Sequence, residues 1–148
     1  MSLYQFISSN SLLPELNSYL EITSSGILEI NLKNYDINSL KIMKCQHVNI
    51  NKDVFYYTKY KNIYNIEWEY SESGCLEFLN YLKSLQTENI IEVWSIRLCD
   101  ISETPTASLL ESITVYKCKK SKLEYDYLKD KIRCIDSGDT PKVLIILP

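Results

Sequence analysis

Glycine occurs only three times in this chain, at Gly26, Gly74 and Gly138. Isolated glycines cannot build a phosphate cradle, and neither G-x-x-x-x-G-K-[ST] nor G-x-G-x-x-G is present. The G-x-S-x-G elbow of a nucleophilic serine is missing too. Histidine occurs once, at His47, in a polar stretch between strand-like segments. A general base needs a nucleophile or an orienting acid beside it, and a His-ligated zinc site needs more than one imidazole. The five cysteines, Cys45, Cys75, Cys99, Cys118 and Cys134, are odd in number, widely spaced and form no C-x-x-C pair. That is neither a zinc pattern nor a disulfide framework, and it predicts reduced, mostly buried thiols. No stretch approaches the ~20 apolar residues of a membrane span. The start, Met1-Ser-Leu-Tyr-Gln-Phe-Ile7, has no basic n-region, so a cytoplasmic, soluble protein is expected, with no cofactor.

What is present suits one globular unit. The 148 residues are 45% hydrophobic and 24% charged, which disfavours disorder and predicts a single domain over 1–148. Isoleucine, asparagine, lysine and the 12 tyrosines are abundant, whereas alanine occurs once, at Ala107, and arginine twice. Codon composition explains this skew as the mark of an A/T-rich genome, so single tyrosines and asparagines carry little weight. The net charge of −3 disfavours nonspecific nucleic-acid binding, which needs a basic face. The charges are segregated. Lys41 to Lys61 is basic, Glu67 to Glu111 holds nine acids against Lys83 and Arg97, and Lys117 to Arg133 is basic again.

Periodicity predicts an α+β fold, a mixed or mostly antiparallel sheet with two main helices packed on it. Leu3 to Ile7 reads as a first strand, and Pro14 to Leu20 as a short helical turn. Leu28, Ile30 and Leu32 alternate with Glu29 and Asn31, the period of a half-buried strand. Leu40 to Cys45 and Val54 to Tyr60 are further strand candidates. Ile66, Trp68 and Tyr70 alternate with Glu67 and Glu69. Ser71 then caps a helix to about Gln86, whose stripe is Cys75, Phe78, Leu79, Leu82 and Leu85. Ile90 to Leu98 is apolar on both faces and should lie centrally in the sheet. Asp100 to Ser108 reads as a loop and Ile113 to Cys118 as a strand. Ser121 and Glu124 form a capping box for a second helix to about Arg133. Val143 to Leu147 is a buried strand.

The candidate site is acidic. Glu67 and Glu69 would project from one strand face about 7 Å apart. With Glu72 and Glu92 they would form an outward surface for a protein partner, and Trp68 and Trp94 beside them would be its hot spots. Two other readings stay open. Acids including Glu92 and Asp100 could hold Mg²⁺ in a nuclease, or another enzyme site such as a transferase's could assemble only in the fold. Alternatively, Trp68, Tyr70 and Trp94 could stack a small regulatory ligand.

A resemblance favours the partner reading. The segments Tyr57-Thr58-Lys59-Tyr60, Ile66-Glu67-Trp68-Glu69-Tyr70 and Ile91-Glu92-Val93-Trp94-Ser95-Ile96-Arg97-Leu98 resemble small single-domain proteins of low-GC Gram-positive bacteria. So do Tyr4 to Asn10 with Leu13-Pro14-Glu15, and Tyr116-Lys117-Cys118 followed by Leu123 to Asp126. Arg97 departs from the pattern, where an aromatic is usual. These proteins are similar in size and style to the immunity proteins that neutralise bacterial toxins. The resemblance implies a non-enzymatic domain that binds a cognate toxin, such as a basic nuclease, with no role for nucleic acid or membrane as direct partner.

Overall fold

The computed structural model describes residues 3–33, 35–44, 54, 56–68, 71–86, 88–97, 106–137 and 140–148. Its frame is a six-stranded sheet in the order β4-β5-β1-β6-β8-β7. The strands are β1 (Leu3–Ser9), β4 (Lys41–Lys44), β5 (Asn62–Glu67), β6 (Ile91–Arg97), β7 (Thr114–Lys119) and β8 (Lys142–Leu147). A separate two-stranded hairpin pairs β2 (Leu20–Ile22) with β3 (Leu28–Ile30). Every pairing in the large sheet is antiparallel except β7 with β8, which is parallel. A parallel pair needs a crossover. The chain makes it through helix α3 (Tyr125–Ile135), between β7 and β8. Helix α1 (Glu72–Ser84) joins β5 to β6, and the short α2 (Ala107–Glu111) precedes β7. This is the mixed-sheet α+β architecture that periodicity predicts.

Alternation along the strands divides the interior into two cores. On the helix side, Ile7, Tyr64, Ile66, Val93, Leu144 and Ile146 meet Phe78 and Leu82 of α1 and Leu128 and Ile132 of α3. On the far side, Phe6, Ile63, Trp94, Ile96 and Val143 are covered by Val54 and Tyr57. Strand β6 supplies Ile91 and Val93 to the first core and Trp94 and Ile96 to the second. An apolar run on both faces therefore does mark a central strand here.

Local chemistry sets the helix boundaries. Ser71 Oγ accepts from Gly74 N–H at 3.0 Å, so the expected cap of α1 forms. The expected capping box at Ser121 does not. Lys120–Lys122 forms a 3₁₀ turn, and α3 begins after Glu124, which makes no side-chain cap bond. The turn places Leu123, which is fully buried, into the helix-side core, and that burial outweighs the cap.

Three other expectations change. Among its described residues, Val54 to Tyr60 is no strand. Tyr57 N–H donates to Val54 O at 3.0 Å in a turn, and both side chains close the far core instead of extending a sheet. Pro14 to Leu20 forms no helix. Leu16 bridges Ile42 of edge strand β4, Asn17 adopts a left-handed φ of 51°, and β2 follows. Leu28 and Ile30 do lie on a strand, but β3 is exposed along its whole length.

Candidate partner-binding site

Of the six acidic and aromatic residues singled out from the sequence, the five that the structure describes do not form one surface. Glu92 lies on the far face of β6, 8% exposed. Its Oε1 accepts from Ser8 Oγ at 2.8 Å, Thr58 Oγ1 at 2.6 Å and Trp94 Nε1 at 3.0 Å. Trp94 is buried beside it, stacked on Phe6 with ring centroids 5.9 Å apart. Both residues are interior, because Val54, Tyr57 and Thr58 cover that face, and neither offers a surface to a partner. Glu72 is exposed on α1 and faces Lys129 of α3 at 3.5 Å. Trp68 lies on the helix side of the sheet, edge-on to Phe78 at 5.4 Å, with Nε1 donating to Gln5 Oε1 at 2.8 Å. Glu69 lies outside the described residues, as do His47, Cys45, Cys99 and Asp100. Cys75 and Cys118 are buried and Cys134 half-buried, all as free thiols, and burial pushes the Cys118 thiol up. Among the described residues no three of His, Cys, Asp and Glu come together in a way that could hold a metal ion.

Glu67 leads elsewhere. At the end of β5 it pairs across the ladder with Lys41. Its two carboxylate oxygens accept from the Tyr19 hydroxyl at 2.9 and 3.0 Å. Burial first, and Glu67 second, push the Tyr19 phenol up to about 12. Lys41, almost fully buried, gives its ammonium to the carbonyls of Asp36 and Ser39 and sits 4.6 Å from the centre of the Tyr35 ring. Tyr19 and Tyr35 meet edge to face at 5.3 Å. These contacts anchor the β2–β3 hairpin to the β4 edge of the sheet.

The hairpin is turned inside out. Register places Glu21 opposite Glu29 on one face, and Leu20 opposite Ile30 on the other. The polar face looks over a cleft of about 240 Å³ lined by Asn17, Ser18, Tyr19, Glu21, Asn31 and Tyr35. The apolar face looks outward, with Leu28 47%, Ile30 67% and Leu32 58% exposed. Ile27 beside them is 61% exposed. Amphipathic strands ordinarily bury the apolar face. The alternation of Leu28, Ile30 and Leu32 was legible in the sequence, but its two-residue period does not say which face is wet.

Comparison of the chain with protein-family models, characterised proteins and solved structures found no match to any of them. Among the described residues, no helix is long and apolar enough to cross a membrane.

Proposed function

We propose that this chain is a non-catalytic protein-binding domain that docks a basic protein on the outward face of its β2–β3 hairpin. The observation that carries this reading is the inverted hairpin, with its leucine and isoleucine side chains in solvent and its polar side turned to the body. Exposed apolar clusters rimmed by polar groups mark interaction surfaces. Burying a Leu or Ile side chain on binding contributes roughly 1.5–3 kcal/mol. Glu21 and Glu29, on the other face of the same two short strands, add negative charge next to this surface and have no ion-pair partner among the described residues. Such charge speeds association with a cationic protein. A basic toxin is the partner class that fits, in the manner of an immunity protein, with the hairpin in place of Glu67 and Glu92 as the contact.

The test is co-expression with the product of the adjacent gene, followed by co-purification at low and high salt. A complex whose association slows as salt rises is expected. Leu28→Asp with Ile30→Asp should abolish it while leaving the melting temperature within about 3 °C, because substitutions at exposed positions change stability by roughly 0.5 kcal/mol or less. A complex that survives this double substitution would remove the hairpin from the interface.

A further inference from the structure

Strand β7 ends the large sheet, and among the described residues no strand lies on its outer side. The opposite edge is closed in part, because Leu16 and Ile42 exchange backbone hydrogen bonds of 3.0 and 2.9 Å on β4. Backbone bonds show which groups of β7 face outward. Thr114 N–H donates to Pro141 O at 3.1 Å, so Thr114 points its backbone toward β8. Successive residues of a strand point their backbone groups to opposite sides. Tyr116 and Cys118 therefore follow Thr114, and Val115, Lys117 and Lys119 turn outward. Lys117 O agrees, since it accepts from the Tyr127 hydroxyl of α3 at 3.3 Å. A carbonyl has two lone pairs, so that bond leaves one open. Such a row of outward N–H and C=O groups is a template for another strand.

Side chains state which strand it accepts. Tyr116 and Cys118 pack on the helix-side core, so Val115, Lys117 and Lys119 share the far face, where all three are exposed. Register sets Lys117 beside Ile145 and Lys119 beside Leu147. Neither lysine meets an acid across the ladder, and neither has an ion-pair partner among the described residues. A strand laid along this edge brings its own side chains to roughly 5 Å at Cβ, where opposite charges stabilise and like charges destabilise. A second copy of β7 would bring lysine to lysine. A strand carrying acids complements the edge.

We infer that β7 takes up an extended acidic segment of another protein as an added strand, at a surface separate from the hairpin. Antiparallel pairing is slightly the more stable kind. In that direction the segment reads acid-x-acid-x-Val, with its acids opposite Lys119 and Lys117 and its apolar residue opposite Val115, which is 48% exposed. Main-chain bonds supply affinity and the two lysines supply specificity.

The probe is the capped heptapeptide Thr-Glu-Thr-Glu-Thr-Val-Thr, titrated into isotopically labelled protein and followed by amide chemical shifts. Its counterpart carries lysine at both glutamate positions. With the acidic peptide, the largest shifts and the strongest slowing of hydrogen exchange are expected at the amides of Val115, Lys117 and Lys119. Those of Tyr116 and Cys118, already turned to β8, should respond less. The titration midpoint should be at least about threefold weaker with the lysine peptide, and weaker by a similar factor for Lys117→Gln with Lys119→Gln, in keeping with exposed ion pairs. Both positions are exposed, so this variant should fold as the parent does. Leu28→Asp with Ile30→Asp should leave the midpoint unchanged, so each surface is tested alone. Absence of shifts at β7, or equal responses to the two peptides, overturns the inference. Shifts at β7 without the alternation also overturn it, because they mark a contact with the lysine side chains alone.

Discussion

At the scale of single residues, the most consequential side chain is Glu92. Three donors converge on one of its oxygens, from β1, from the segment after Val54 and from Trp94. Truncation takes the acceptor from all three. Ser8 Oγ and Thr58 Oγ1, 2.9 Å apart, can satisfy one hydroxyl between themselves. That leaves the other hydroxyl and Trp94 Nε1 stranded, and each unsatisfied buried donor costs about 1–3 kcal/mol. Glu92→Ala should therefore destabilise by about 3 kcal/mol or more, and Glu92→Gln, which keeps an acceptor, by about half as much, both read from urea unfolding. Similar costs for the two variants would mean that the charge, not the acceptor, holds the network. Asp136 gives a prediction of opposite sign. It follows the last turn of α3 and accepts from Gln5 Nε2. Burial raises its carboxyl above the ordinary 3.8, against the opposing effect of Gln5. The folded protein thus binds this proton more tightly than the unfolded chain does. Its favourable contribution is complete below pH about 4 and is lost as pH rises through the folded value. A negative charge at a helix C-terminus is unfavourable as well. Asp136→Asn should then stabilise the protein at pH 7 by about 0.5 kcal/mol, and the gain should shrink toward zero near pH 3. Destabilisation at pH 7 would show that the charged form of the Gln5 hydrogen bond outweighs burial.

At the scale of elements, two serines that look equivalent in the sequence are separated by what surrounds them. Ser71 precedes an apolar stripe that fits its helix from the first turn, so its hydroxyl caps Gly74. Ser121 stands in an equally good S-x-x-E pattern, but the chain there bends through a 3₁₀ turn to bury Leu123. Ser71→Ala should cost about 1 kcal/mol, and Ser121→Ala no more than a few tenths, measured by thermal unfolding under identical conditions. The edges of the large sheet also differ. Strand β7 carries the exposed Lys117 and Lys119, which discourage edge-to-edge association. Strand β4 is covered in part by the Leu16 bridge to Ile42. The hairpin grows from this covered side, which places its apolar face away from the basic side chains of β7.

For the whole molecule, three acids from the acidic middle of the chain are engaged within the fold: Glu92 in an interior network, Glu72 in a helix-to-helix pair with Lys129, and Glu67 as an anchor for Tyr19. Glu21 and Glu29, opposed across the exposed hairpin, come instead from a segment with no notable charge run. The sheet explains this sorting. With helices on one side and residues such as Val54 and Tyr57 on the other, β6 is covered on both faces, and its acid is buried among interior donors.

By itself the sequence determined the elements whose signals are local. The 3.6-residue stripe from Cys75 to Leu85, the Ser71 cap, the doubly apolar run of β6 and the continuous apolar run of β8 each depend on neighbours a few residues away, and each forms as those neighbours dictate. Only the tertiary structure decided which faces meet water. Glu92 is buried by Thr58, 34 residues earlier, Trp68 is oriented by Gln5, 63 residues earlier, and Leu28 and Ile30 stay exposed because Tyr19 and Glu67 hold their hairpin with its polar side inward. A strand's period defines two faces and assigns neither. The assignment belongs to residues far along the chain, whose arrival no local pattern encodes.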